Sequence, residues 1–178
     1  MPPPTREDVL DLPMRRRIVD AVAQHPGLHL RALADHLDLA VSSLEYHCYH
    51  LLRTEHLVSR DVGGHKAFFP AEGVDRRDKD ILGLVRQEAV RGICAHLALH
   101  PGSTPKDLKE VVKISGATLS FHLKKLRVAG LIDEVPAGRT KHITLVDAER
   151  VANVLVTYRA SFVDAAIDRF AKAWLDLR

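Results

Sequence analysis

Ser115-Gly116-Ala117-Thr118-Leu119-Ser120-Phe121-His122-Leu123-Lys124-Lys125-Leu126 starts with a residue type that caps helices and then repeats apolar residues at helical spacing. That spacing puts Leu119, Leu123 and Leu126, with His122 beside them, on one side of a helix. Thr118, Ser120, Phe121, Lys124 and Lys125 fall on the other. Base edges in a major groove are read by hydrogen bonds and methyl contacts, so a helix with one greasy face and one polar, cationic face is suited to that task.

The same phrase occurs 75 positions earlier, where Leu44, Tyr46, His47 and Leu51 align with Leu119, Phe121, His122 and Leu126. At that offset His25-Pro26-Gly27 falls on His100-Pro101-Gly102, Ile18 on Ile93, Leu33 on Leu108 and Leu39 on Ile114. After Leu51 the frame slips by one residue, and Leu57-Val58 meets Leu131-Ile132. Coincidence at so many positions of matched type and spacing implies a duplicated unit.

In the first copy Asp11 as N-cap and Pro13 predict a helix with Ile18, Val19 and Val22 inward, ended by His25-Pro26-Gly27. A short helix follows over about Arg31 to Leu37, then a turn, then a helix over about Ser42 to Thr54. Alternation from Leu57 to Asp61, Gly63-Gly64 and Lys66 to Phe69 predict a β-hairpin. In the second copy Thr104 caps a helix begun by Pro105. Ser115-Gly116 opens the next helix, and Leu131 to Val135 pairs with Thr140 to Leu145 across Pro136 to Arg139. Between the copies Ile81, Leu82, Val85, Ala89, Ile93 and Leu97 form one helical stripe starting near Asp78 or Lys79, so the link at Gly73 to Arg77 is short and should restrict the units' orientation.

From Asp147 the pattern is purely helical, with a break at Ala160-Ser161. The last helix carries Phe162, Ala166, Phe170, Trp174 and Leu177, widened by Val163 and Ile167, as a face for dimerisation or for packing on the second unit. The expected fold is therefore mainly α with small β-hairpin wings. It comprises an arm over 1–10, a winged helix-turn-helix domain over 11–72, a second over 73–146, and C-terminal helices over 147–178.

Composition narrows the function. The chain has 26 Lys plus Arg against 23 Asp plus Glu, a net charge of +3. The charge is uneven: residues 1–72 hold eight basic and ten acidic side chains, the remainder 18 and 13. A surface that binds phosphate by releasing counterions is expected in the second half. Cys48 and Cys94 lie far apart in helical patterns, which argues against a disulfide framework and for reduced thiols in the cytoplasm. There is no apolar stretch of membrane-spanning length, and Met1-Pro2-Pro3-Pro4 lacks the basic-then-apolar order of a signal peptide, so none is expected there. No Gly-rich phosphate loop, nucleophile elbow or His-Glu-x-x-His motif is present, so no enzyme and no cofactor is expected.

Ser120-Phe121-His122-Leu123-Lys124-Lys125-Leu126, followed by Ala129-Gly130-Leu131-Ile132, resembles the recognition helix and strand entry of ArsR-type winged-helix repressors, whose archaeal cousins often occur as tandem units. The resemblance covers about Arg91 to Leu145 well and Arg15 to Phe69 less closely. It implies sequence-specific binding of double-stranded DNA, usually as a homodimer. The helix before the recognition helix, Pro105 to Val112, lacks the Cys-x-Cys signature of the metal sensors, so no metal is expected. His47, Cys48, His50 and His56 make no zinc pattern, because the His47–His50 pair has no matching second pair. His47 and His122 hold equivalent positions and are expected to be packed, hydrogen-bonded histidines.

The DNA-contacting residues expected in the second unit are Ser115, Ala117, Thr118, Ser120, Phe121, Lys124 and Lys125, with Arg139 and Lys141 gripping backbone from the wing. Ser42, Ser43 and Tyr46 hold the matching places in the first unit, but Glu45 there would repel phosphate. The second unit is thus the expected main reader, and the first a place for a protein or small-molecule effector. The rival reading is a tandem winged-helix docking module of transcription or chromosome machinery that does not bind specific DNA. Arg15, Arg16 and Arg17 are expected to solvate the first helix.

Overall fold

The computed structural model describes Leu10 and residues 12–177. The arm expected over 1–10, apart from Leu10, and the Asp11 cap lie outside the described residues. The chain forms two units, one ending at Gly83 and the other beginning at Leu84.

The first unit runs α1 (Pro13–Gln24), α2 (Leu30–Leu37), α3 (Val41–Arg53), β1 (Leu57–Val62) and β2 (His65–Pro70). Ile18 and Val22 of α1, Leu33 and Leu37 of α2, and Leu44, Cys48 and Leu51 of α3 share one core with Leu57 and Phe68. The strands pair antiparallel from Leu57↔Pro70 to Val62↔His65. Gly63 and Gly64 both take positive φ, as a two-residue turn matched to the twist of the strands requires. Arg15, expected to face solvent, is buried, and Arg17 donates from Nη2 to the Leu37 carbonyl at 2.9 Å. Long arginine stems can cover apolar surface while their charged heads find carbonyls, which residue type alone does not reveal.

The second unit repeats the plan with α5 (Glu88–Leu99), α6 (Pro105–Val112), α7 (Gly116–Val128), β3 (Ile132–Ala137) and β4 (Thr140–Leu145). β3 and β4 pair from Ile132↔Leu145 to Ala137↔Thr140, so the turn is Gly138-Arg139 and Pro136 lies within a strand, opposite Lys141. The repeated His-Pro-Gly now has a mechanical meaning. Gly27 (φ +90°) donates to the Phe68 carbonyl at 2.8 Å, and Phe68 donates to Leu28 at 3.0 Å. Gly102 (φ +83°) and Ser103 make the matching pair with Ile143 at 2.9 and 3.0 Å. Each glycine turns the chain from the end of a helix into a one-bridge third strand beside the wing, through a conformation that side chains resist.

The stripe from Ile81 to Leu97 does not form one helix. α4 (Arg76–Val85) ends and α5 starts anew after Gln87. Arg91 sustains the break: its Nη1 donates to the carbonyls of Val85 at 2.9 Å and Arg86 at 3.2 Å, groups a helix end leaves without intrahelical partners. Periodicity reads through a break that leaves the apolar phase intact, so this one was invisible in the sequence.

After β4, α8 (Ala148–Thr157) is capped by Asp147, whose side chain accepts from Arg150 N. A 3-10 turn at Arg159–Ser161 marks the expected break, and α9 (Ala165–Asp176) packs on α5 and α8. Phe162 and Val163 precede α9 rather than belonging to it. Asp164 is the N-cap: Oδ1 accepts from Ala166 N at 2.9 Å while Oδ2 accepts from Arg91 Nε at 2.8 Å. One arginine thus secures both the α4–α5 break and the start of the last helix.

Cys48 and Cys94 are free and buried, and burial pushes their thiols up to about 11 and about 12, where they stay protonated. No helix among the described residues is long and apolar enough to cross a membrane.

Two outcomes follow from this packing. Leu126 is fully buried, so Leu126→Ala should cost about 2–5 kcal/mol of unfolding free energy in a urea titration. Burial raises the Asp164 carboxyl, but Arg91 and the helix amides outweigh it and hold it below the usual carboxylate range. A group depressed on folding contributes stability above its unfolded value, about 3.9, and loses that contribution as pH falls through the folded value. Emission from Trp174, the single tryptophan, should report α9 docked near neutrality and released only in stronger acid, whereas Asp164→Asn should weaken docking already at neutral pH.

Candidate nucleic-acid interface

α7 is fixed at its N-terminus. Ser115 caps it, its Oγ accepting from Thr118 N at 3.1 Å and lying 2.8 Å from Thr118 Oγ1. Behind it α6 begins with a capping box: Thr104 accepts from Asp107 N, and Asp107 accepts from Thr104 N at 2.8 Å. Those bonds from Thr104 hold the Asp107 carboxyl below its ordinary value. The α6–α7 turn passes through Lys113 in the left-handed region (φ 52°), matched by Asp38 (φ 53°) between α2 and α3.

Inside α7, Leu119, Leu123 and Leu126 are buried, as their spacing demands. Ser115, Ala117, Thr118, Ser120, Phe121 and Lys124 are exposed. Lys124 makes no ion pair among the described residues. Lys125 is half-buried, its Nζ 5.0 Å from the centre of the Phe121 ring, which is itself 56% exposed. Cation and aromatic face thus lie together on the outer surface of the helix.

Arg139 is exposed in the hairpin turn and also lacks an ion pair among the described residues. Lys141 differs from the expectation that grouped it with Arg139. Its Nζ lies 2.8 Å from Oε1 of Glu134, and Arg127 of α7 lies 3.2 Å from Oε2. Burial raises the Glu134 carboxyl, but the two cations outweigh it and keep it below its ordinary value. The sequence reading missed this carboxylate. It adjoins a cleft of about 600 Å³ between α6, α7 and the wing, whose other charged lining residues are Lys106, Lys109, Lys124, Arg127 and Lys141. Lys106 and Lys109 were also missed, although their spacing of three on α6 was a readable sign of a shared face.

The matching face of the first unit has another chemistry. Ser42, Ser43 and Tyr46 are exposed on α3, as is Tyr49, and Tyr46 packs 4.8 Å from His50 between ring centres. Arg53 donates to the Tyr49 hydroxyl at 3.0 Å. α3 starts from Ala40 without a side-chain cap. His47 and His122 pack against the preceding aromatic ring at 5.4 and 5.5 Å. Burial first and nearby cations second lower both imidazoles below their ordinary value. Both were expected to be packed and hydrogen-bonded; they are packed, and the Nδ1 of each is buried without a hydrogen-bond partner among the described residues. No group of three or more metal-binding side chains occurs among the described residues.

The five residues proposed for pairing are dispersed. Phe162 lies under the guanidinium groups of Arg86 and Arg91, at 4.8 and 5.1 Å, and Phe170 is buried within its own unit. Trp174 is half-buried, and Ala166 and Leu177 are exposed. The inward face of α9 is Ile167, Phe170 and Ala171, so a spacing of four residues from Phe162 selected a line that crosses from core to surface.

Residues 13–82 match the family model of an N-terminal HTH domain, and residues 87–135 that of a helix-turn-helix domain. The chain therefore carries two tandem helix-turn-helix domains, each with a hairpin wing. It is 30% identical, over 132 residues, to an uncharacterized HTH-type transcriptional regulator of Methanocaldococcus jannaschii. That alignment takes in 74% of this chain and 33% of the relative, so the chain spans about a third of the relative's length.

Ser115→Ala removes the α7 cap, and hydrogen exchange at Thr118 should report about 1 kcal/mol less local protection.

Proposed function

We propose that the chain is a sequence-specific, DNA-binding transcription regulator of ArsR-like character, and that its second unit is the main reader. The observation that carries this is the exposed polar face of α7, with Thr118, Ser120 and Lys124 outward over a buried leucine stripe. The two helix-turn-helix matches and the regulator relative support the same reading. Ser115, Ala117, Thr118, Ser120 and Phe121 would set sequence preference in a major groove, while Lys124, Lys125 and Arg139 would bind phosphate. Lys141 enters the interface by exchanging Glu134 for a phosphate oxygen. The working modules are taken as 11–72, 73–146 and 147–178. The chain acts without catalysis in the cytoplasm, as a homodimer paired through the C-terminal helices, where Ala166, Trp174 and Leu177 are the accessible members of the proposed seam.

The first unit takes a different part. Tyr46 and Tyr49 are both more than half exposed on α3, beside Glu45, and an aromatic surface flanked by a carboxylate suits a protein or effector better than a phosphate backbone. A pure docking module is the competing account, and a salt titration separates the two. Labelled duplex should bind with steep weakening as salt rises. Changing Lys124, Lys125 and Arg139 together to Ala should weaken binding to every duplex and flatten the logarithmic salt slope by about 2–3. Unchanged affinity and slope would remove α7 and the wing from the interface.

A further inference from the structure

We propose that the second unit holds a binding site for a small organic acid with an apolar body, in the groove bounded by α5, the α6–α7 turn and α9. This goes beyond the DNA-reading proposal and does not depend on it. The groove is open to solvent along one side and holds about 910 Å³, at the upper end of the range of small-molecule sites. Small residues open it: Gly92 and Ala95 of α5 and Ala173 of α9, while Leu99, Val112 and Phe170 supply apolar wall. A Cβ at Gly92 would sit 3.0 Å from Val112 Cγ1, tighter than ordinary contact, so the glycine lets the end of α6 lie this close to α5.

The charges along its lining define the ligand. Asp164 is neutralised by Arg91 at 2.8 Å. Burial first and the nearby His100 second lower the His96 imidazole below its ordinary value, and its Nε2 lies 3.1 Å from Ser103 Oγ. Lys113 and Arg169 are exposed, have no ion pair among the described residues, and stand against the single unneutralised carboxylate of Glu88. An apolar chamber with a net cationic edge favours an amphipathic anion over a neutral or cationic molecule of the same size. The groove also touches Val111 to Ile114, the turn immediately before the Ser115 cap of α7. A ligand there presses on the segment that sets the entry of α7.

Calorimetric titration of the full chain with decanoate, decanol and decylamine, each below its micellar concentration, tests the assignment without DNA. Decanoate should bind saturably, one per chain, about tenfold more tightly than decylamine, a difference of about 1.4 kcal/mol. Lys113→Glu with Arg169→Glu, both surface changes that leave the core untouched, should reverse the order of acid and amine. Ala173→Trp, which fills the chamber, should abolish binding of all three. Equal affinity for acid and amine, no saturation, or an unchanged preference in the double variant would overturn the proposal. So would binding seen only after dilution splits a dimer, because the groove would then be covered by a second copy. A null result here leaves the duplex titration intact, so the two readings fail separately.

Discussion

Burial of Leu119, Leu123 and Leu126 against the second unit's core is the constraint on which the site rests. Three leucines seated on one side of α7 leave no freedom about its long axis, so the opposite residues must face outward whatever their chemistry. The backbone bridge at Gly102 and Ser103 secures the wing to the same core, and the Glu134 carboxylate joins the two strands of that wing through Lys141 and ties it to α7 through Arg127. Helix, wing and cleft therefore form one connected surface rather than separate loops that happen to carry cations. Preorganisation of this kind lowers the ordering cost of binding.

The duplication kept the scaffold and let the surfaces diverge. Gly27 and Gly102, Asp38 and Lys113, Leu44 and Leu119, and His47 and His122 do equivalent structural work in the two units. The outward residues are not equivalent: Lys124 and Lys125 replace Tyr49 and His50, and a side-chain-capped helix start replaces Ala40. Selection on a core acts through volume and backbone geometry, whereas an exposed face can change at little cost to stability. The C-terminal helices add a third layer to the second unit alone, held by Arg91 at the Asp164 cap.

Much of this was legible because it depends on period and on turn chemistry. The two helix-turn-helix units, the α7 boundaries, the Thr104 and Ser115 caps and both hairpins follow from apolar spacing, Pro-Gly punctuation and capping residues. What escaped depends on long side chains bonding across space. The Arg91 bonds that end α4, the Glu134 bridge and the buried Arg15 leave no trace in hydrophobic periodicity. The start of α9 was misread for a related reason. Phe162 looked like the next turn of the same stripe, but the Asp164 cap starts the helix after it.

Whether the outer face of α7 reads DNA can be seen by following backbone amides of the isotope-labelled full chain during titration with duplex. The shifts should cluster at Thr118, Ser120, Phe121 and Lys124 and at Arg139 of the wing, with α3 amides unmoved. Shifts confined to Tyr46 through His50, with α7 silent, would contradict it.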